Sequence, residues 1–468
     1  MNDNNTLLLF AENENDAARI EAVDQLHNAT NYYTNDDVVE QLLDHTDWPH
    51  DRGRMVDASC GAGAFVAIAL ARALAARVFT DEELPSFLEA WEIHPFACAQ
   101  ARSRVASVLI SFGRSPAAAA GLAEQIVHNK DFLTDAPTGP TFNHFFSNVP
   151  YLRLANVPQL LRDEYAGHVP KYASADLAHS FLDRAARTLC EGGKIGVIVA
   201  DRILINSTAG ALREVLGARL GIEHVERLNA ESAFHKPKQR RKGTPARVHP
   251  VMLVLSPSGA IPLTKEPVYP GVDETPYAGL PTLQELAQVR LGPWLGSPKI
   301  FSISPEEAIA KRIPPEVLVR AIDIDDIIDG DKLGPPKRYA IRTHPDHRPC
   351  EAVMAHLEET MHLMAEGGKK GTFWCPPERW HARDLSQTTL MVPRIAKTPR
   401  GIWVEPNMLP VNHNLSVISG DLHLLTRIER ALRSDLAAKW LQEHAPRIEG
   451  GFHTLDTTLL RKMPIQLD

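Results

Sequence analysis

Cysteine is scarce in this chain of 468 residues: Cys60, Cys98, Cys190, Cys350 and Cys375 are the five present, and no two stand as Cys-x-x-Cys. That excludes a zinc finger and a disulfide framework, and it points to a reducing compartment, the cytoplasm. Excess positive charge is missing too. Lys plus Arg is 50 against 58 for Asp plus Glu, a net charge of −8, so any contact with nucleic acid must come from local patches. Long apolar runs are absent, which excludes a membrane-spanning helix, and the polar opening Met1-Asn2-Asp3-Asn4-Asn5 does not resemble a signal peptide. A metal is not expected either. His344, Asp346, His347 and Cys350 alternate with Pro345 and Pro349 in what reads as an irregular loop.

What is present is an ordinary globular composition, 44% hydrophobic and 23% charged, with length enough for two or three domains. Short apolar runs read as strands at Met55-Val56-Asp57, 90–93, 125–128, 142–146, 193–200, 224–228 and 251–255. Between several of them lie helical patterns, at 65–78, 95–112 and 180–189, and an earlier helix opens after Thr34-Asn35. That alternation predicts an α/β fold with a mostly parallel, doubly wound sheet. From 256 to 299 recurrent prolines break any long element and suggest a crossing between domains. The remainder is irregular except for a helix predicted over 422–441.

A doubly wound sheet binds ligands at the carboxyl ends of its strands. Asp57 ends the first strand and opens the turn Asp57-Ala58-Ser59-Cys60-Gly61-Ala62-Gly63. Its glycines let backbone approach a ligand closely, and the helix that follows offers free amides. The turn lacks the Gly-Lys-Ser/Thr ending of an NTPase loop and the third glycine of the dinucleotide fingerprint. Glu92, followed by Ile93, ends the second strand, where a carboxylate can accept from two ribose hydroxyls. Asp131-Phe132 follows the third, an acid and a ring suited to an adenine. One glycine turn is weak evidence, but the ordered set is much stronger.

The fourth strand exits into Asn148-Val149-Pro150-Tyr151. An exocyclic amine on adenine or cytosine is a poor nucleophile, because its lone pair is delocalised into the ring. Two acceptors for its N–H groups, the Asn148 side-chain oxygen and the Val149 carbonyl, favour a more tetrahedral nitrogen. Tyr151 can stack on the base, which contributes roughly 1–3 kcal/mol. That offsets part of the few kcal/mol, roughly, needed to extrude the base.

With these motifs in this order, the chain resembles the gamma-class, TaqI-like methyltransferases that modify DNA adenine N6 using S-adenosylmethionine. The resemblance covers roughly residues 28–255 as a motif series, and the C-terminal part more loosely. Tyr32-Tyr33-Thr34 matches the motif that touches the methionine part of the cofactor. Asp57, Ser59, Cys60, Gly61 and Gly63 fall in the glycine-rich motif, Glu92 and Ile93 at the ribose acid, and Asp131 and Phe132 at the adenine pair. Asn148-Val149-Pro150-Tyr151 matches the catalytic Asn-Pro-Pro-Tyr with Val149 in place of the first proline. Phe234 matches the aromatic residue on the other face of the flipped base.

The resemblance implies a Rossmann-like methyltransferase sheet over 1–255, a crossing over 256–299 and an α+β target-recognition domain over 300–468. The implied partner is double-stranded DNA, with a separate restriction or defence subunit possible. Two basic loops suit phosphates: Lys236, Lys238, Arg240, Arg241 and Lys242 directly after Phe234, and Lys369-Lys370 within 331–400, where 12 Lys/Arg face 8 Asp/Glu. Cytosine N4, an RNA adenine, or a non-catalytic DNA-reading role remain alternatives for the same tetrad.

Overall fold

The computed structural model describes residues 14–235, 249–269, 271–328, 331–365, 368 and 371–467. The chain divides after Pro270 into two compact units. Among the described residues no helix is long and apolar enough to cross a membrane.

The first unit is built on ten strands: β1 (Tyr33–Thr34), β2 (Met55–Asp57), β3 (Leu88–Trp91), β4 (Val127–His128), β5 (Phe142–Asn148), β6 (Leu189–Ala200), β7 (Gly221–Arg227), β8 (Phe234–His235), β9 (Pro250–Ser256) and β10 (Ile261–Pro262). Eight of them form one sheet in the order β10-β7-β9-β6-β5-β2-β3-β4. Strands β2 to β7 run one way, and β9 and β10 run the other. The central strands read as continuous apolar runs because both their faces are covered. Phe145, Phe146, Ile195, Val197 and Ile198 are all buried.

From β2 the chain steps outward to β3 and β4, then returns to the opposite side of β2 for β5. The order therefore reverses between β2 and β5, which opens a crevice at their carboxyl ends. The helix Ala64–Ala76 leaves this crevice with Phe65, Val66, Leu70 and Leu74 buried. It packs on the helix Pro95–Ser111. Gly63, at φ 84°, makes that packing possible: a Cβ there would lie 2.9 Å from the Ala101 Cα. β1 and β8 stand apart from the main sheet and pair antiparallel with each other.

Several elements differ from expectation. The stretch 116–126 is helical, because Ser115 caps it through the Ala118 amide and an alanine run follows Pro116, so the third strand keeps only Val127–His128. The proline-rich segment 256–299 does not act as one crossing. β10 joins the first sheet and Leu263 its core, while Tyr277, Leu283 and Val289 belong to the core of the second unit. The expected helix 422–441 is two helices, Leu422–Leu432 and Asp435–His444, with Ser434 capping the second through the Ala437 amide.

The second unit is α+β. One sheet has the strands Gln288–Leu291, Leu415–Ser419, Thr389–Pro393 and Ile402–Val404, in that order. Its inner face packs on the two helices Leu422–Leu432 and Asp435–His444. A second sheet contains Leu318–Ile322, paired antiparallel with Tyr339–Ile341 and parallel with Met408–Pro410.

The end of the first unit is tied down by Arg213, which is fully buried. Its guanidinium donates to the carbonyls of Ile203 (2.9 Å), Asn206 (2.9 Å), Thr264 (3.2 Å), Lys265 (2.8 Å) and Glu266 (3.2 Å). Burial pulls its pKa down against the pull of Tyr269 and Glu266, and the five carbonyls supply the hydrogen bonds that a buried guanidinium needs. Arg213→Met should cost roughly 3 kcal/mol in denaturant unfolding, since it orphans buried carbonyls. A loss below about 1 kcal/mol would contradict this role.

Candidate active site

The crevice at the ends of β2 and β5 gathers most of the expected site. One pocket is lined by Tyr32, Tyr33, Thr34, Ser59, Cys60, Gly61, Glu92, Ile93, Asp131, Phe132, Asn148, Val149 and Pro150. Asp57, Gly63, Tyr151 and Phe234 are not part of its lining: Gly63 faces the neighbouring helix at Ala101, and Tyr151 and Phe234 meet the lining residue Tyr32 ring to ring.

The glycine turn and the tetrad are joined by a chain of short polar contacts. Asp57 Oδ1 accepts from the Ser147 hydroxyl at 2.8 Å, and more distantly from the Ser59 amide at 3.5 Å. The Ser59 hydroxyl donates to the Asn148 carbonyl at 3.0 Å. Asp57 Oδ2 is buried with no hydrogen-bond partner among the described residues. Burial pushes the Asp57 carboxyl up to about 7, against the pull of the Ser147 and Ser59 hydrogen bonds.

Glu92 stands one residue beyond β3. Its Oε2 accepts from the Gly61 amide at 2.8 Å and its Oε1 from the His94 amide at 2.9 Å. The carboxylate thus shapes the turn, and each oxygen keeps a further lone pair. Burial raises it to about 7, and the nearby Asp131 charge adds to the rise. Gly61, at φ 54°, carries no side chain into the pocket; a Cβ would come 3.2 Å from the Tyr33 ring. Cys60 is buried and its thiol is pushed up by burial, which makes it a packed wall residue and not a nucleophile.

Asp131 accepts from the Leu133 amide (2.9 Å) and the Tyr165 hydroxyl (2.8 Å), and burial raises its pKa. Phe132 is wedged edge-on to Trp91 at 5.7 Å and against Phe145 at 5.6 Å, so it lines the pocket with little freedom to move. Tyr165, His27 and Lys130 also line the pocket and carried no motif signal. His27 stacks on His94 at 4.1 Å, which seats the helix Glu14–Thr30 on the pocket rim. Burial, then the His94 ring, lowers the His27 pKa to about 4, so it is neutral near pH 7.

The Asn148 amide is fully oriented. Its Nδ2 donates to the Tyr32 carbonyl at 2.9 Å and to Thr34 Oγ1 at 3.0 Å. Its Oδ1 accepts from the Tyr151 hydroxyl, which also lies 3.2 Å from the Ile198 carbonyl. The Tyr151 ring is buried, 5.9 Å from Tyr32 and 6.4 Å from Phe234, while Tyr32 and Phe234 are 5.6 Å apart. Phe234 is held there because β8 pairs with β1, with Thr34 opposite Phe234, and because the Asn35 amide donates to the Ala233 carbonyl at 2.9 Å. Lys236, Lys238, Arg240, Arg241, Lys242, Lys369 and Lys370 lie outside the described residues. Among the described residues no group of three or more His, Cys, Asp or Glu is placed to hold a metal.

These residues fit an adenosylated cofactor such as S-adenosylmethionine. The fit rests on the orphan Asp57 Oδ2, the bare Gly61 backbone, and two buried acids spaced along one pocket.

No protein-family model matches the chain. It is similar to the type II methyltransferase M.XhoI of Xanthomonas vasicola, 24% identical over 507 residues that span 92% of this chain and 90% of that protein. It is also similar to the type II methyltransferase M.PaeR7I of Pseudomonas aeruginosa, 29% identical over 288 residues, 56% of this chain and 49% of that one. The chain thus has homologues among type II DNA methyltransferases. Its fold resembles the type IIL restriction-modification enzyme MmeI solved in complex with DNA, with a TM-score of 0.58 at 12% identity over 94% of this chain and 67% of that one.

The raised Asp57 carboxyl has a sign that can be measured. Its pKa is about 7 folded against an ordinary 3.8, so its contribution to stability is full below about pH 4 and is lost as pH rises through about 7. Asp57→Asn keeps an acceptor for Ser147 and does not titrate. The thermal midpoint of this variant should therefore gain on that of the parent between about pH 4 and about pH 7. A difference that stays constant across that range would contradict the assignment.

Proposed function

We propose that this chain is a DNA methyltransferase that moves a methyl group from S-adenosylmethionine to N6 of an adenine flipped out of the duplex. Its setting is restriction-modification or phage defence, with any cleavage carried by a separate subunit. The observation that carries the reading is the crevice where Asp57, Glu92, Asp131 and the oriented Asn148 converge beside three aromatic rings. The type II methyltransferase relatives support the reaction class.

When bound, the cofactor supplies a methyl group made electrophilic by a sulfonium. Tyr33, Thr34, Asp57, Ser59, Cys60, Gly61 and Gly63 would hold its methionine end and the turn around it. Glu92 and Ile93 would hold the ribose, and Asp131 and Phe132 the adenine. Glu92 accepts ribose hydroxyls best as the carboxylate, so its elevated pKa predicts tighter cofactor binding as pH rises through about 7.

Asn148 and the Val149 carbonyl act on the target amine. Nδ2 of Asn148 is committed to Tyr32 and Thr34, so only the Oδ1 side can meet the base. One lone pair of Oδ1 takes the Tyr151 hydroxyl and the other is available to an amine N–H. With both amine hydrogens accepted, the nitrogen lone pair turns toward the methyl group. Fixed dipoles of this kind need no reorganisation during the reaction. Phe234 and Tyr151 provide ring surface for the base, with Tyr32 beside them. The second unit is assigned to reading the DNA.

Asn148→Ala should keep cofactor affinity close to that of the parent and lower the single-turnover methylation rate by about 100-fold or more. A rate within a few-fold of the parent removes Asn148 from the chemistry. Thr34→Val strips one of the two acceptors that orient the Asn148 amide. It should slow transfer by about tenfold, the worth of one hydrogen bond, and Thr34→Ser should restore it. Equal rates for the Val and Ser variants would refute the orienting role.

A further inference from the structure

The first sheet of the second unit has two unlike faces. Val289, Leu390, Val392 and Ile418 turn inward and pack in the core. Gln288 lies opposite Ser419 and Arg290 opposite Val417, and Met391 pairs with Val417 from the other side, so Gln288, Arg290, Ser419 and Thr389 share the second face. That face is open at this edge and buried further along, where Met391, Ile402, Val404 and Leu415 pack with Ile322. The segment 383–387 rises beside this face as a wall. Arg383 fastens it by donating to the Leu291 carbonyl at 3.0 Å, and the Leu385 carbonyl accepts from the Asn407 amide at 2.7 Å. The result is a groove with Gln288, Arg290, Arg383, Gln387, Thr389 and Ser419 on its polar side and Leu409, Pro410 and Val417 on its apolar side.

The charge in this groove is unbalanced. Among the described residues neither Arg290 nor Arg383 has a carboxylate within ion-pair distance. Asp384 is the acid of the lining, and its Oδ1 already accepts the Ser386 amide (2.9 Å) and hydroxyl (2.6 Å). Burial and the Arg290 charge hold Arg383 below the ordinary guanidinium value. The groove continues into a recess that shares Arg383 and adds Arg342, whose guanidinium sits 5.6 Å over the Trp380 ring. Three arginines therefore follow one track. The amides of Gln288 and Gln387 and the hydroxyls of Thr389 and Ser419 line the groove with Arg290 and Arg383.

We propose that this groove is the surface by which the second unit grips duplex DNA, with Arg290 and Arg383 on phosphates and Gln288 set to reach a base edge. A chain with net charge −8 that places two guanidiniums without ion-pair partners in one groove has there the complement of a polyanion. Guanidiniums interleaved with amides match the alternation of phosphates and base edges. The exposed face lacks the aromatic anchors that a protein partner would need. The proposal rests on the DNA-methyltransferase reading and assigns the contact to residues outside the two basic loops.

Arg290→Glu, in the full chain with S-adenosylmethionine present, tests it. The side chain is exposed and makes no hydrogen bond or ion pair among the described residues, so folding should be unaffected, which the thermal midpoint checks. Binding is measured on sheared genomic duplex DNA that the parent methylates, at several salt concentrations. The dissociation constant should rise about tenfold or more, and the slope of log K against log salt should shrink by about 1, with cofactor affinity unchanged. Arg290→Lys should keep most of the binding. Gln288→Ala should leave the salt slope alone and relax the choice of methylated site. Parent-like affinity and slope in Arg290→Glu, while the parent still methylates DNA, would overturn the groove alone. A parent that neither binds nor methylates DNA would overturn the functional reading and the groove with it.

Discussion

The side-chain amide of Asn148 is the joint on which the site depends. Its two N–H groups are committed to the Tyr32 carbonyl and the Thr34 hydroxyl, and its oxygen to the Tyr151 hydroxyl. Three segments far apart in sequence thereby become one object: the N-terminal strand β1, the exit of β5 and, through the pairing of β1 with β8, the segment that presents Phe234. An amide is symmetric in shape but not in chemistry. Only full use of its donors forces the acceptor to one side. An amide held by three hydrogen bonds also resists rotation, because a flip would turn its oxygen toward the Tyr32 carbonyl and its N–H groups toward the Tyr151 hydroxyl.

The sheet places this joint where it can be used. The reversal of strand order beside β2 sets Asp57 and Asn148 at neighbouring strand ends. The serine contacts between Asp57, Ser147, Ser59 and the Asn148 carbonyl then couple the glycine turn to the tetrad. Burial raises the carboxyls of Asp57 and Glu92, at two of these strand ends, to about 7. Such placement costs stability, and the buried Asp57 Oδ2, with no hydrogen-bond partner among the described residues, shows where that cost is carried.

Much of the first unit was legible in the sequence for a physical reason. Strands covered on both faces appear as short apolar runs, as in Phe145-Phe146 and residues 195–200, and the candidate site residues fall at their ends. The helix start after Asn35 was readable as a position, but the Asn35 side chain makes no capping hydrogen bond and donates instead to the Ser232 carbonyl. The misplaced third strand shows the opposite case: Gln125 and Ile126 look like strand, but the capped alanine run before them keeps them helical. Tyr165 and His27 reach the pocket through tertiary packing, which leaves no local pattern. The groove of the second unit is less legible still. Its lining comes from 288–290, 383–389 and 419, and no single stretch is basic enough to stand out.

The central claim is that methyl transfer ends on an exocyclic amine of adenine. The measurement that tests it most directly is nucleoside mass spectrometry of duplex DNA incubated with the chain and methyl-labelled S-adenosylmethionine. The account predicts label in N6-methyladenine. Label in N4-methylcytosine, or label absent from the DNA while the cofactor remains bound, would contradict it.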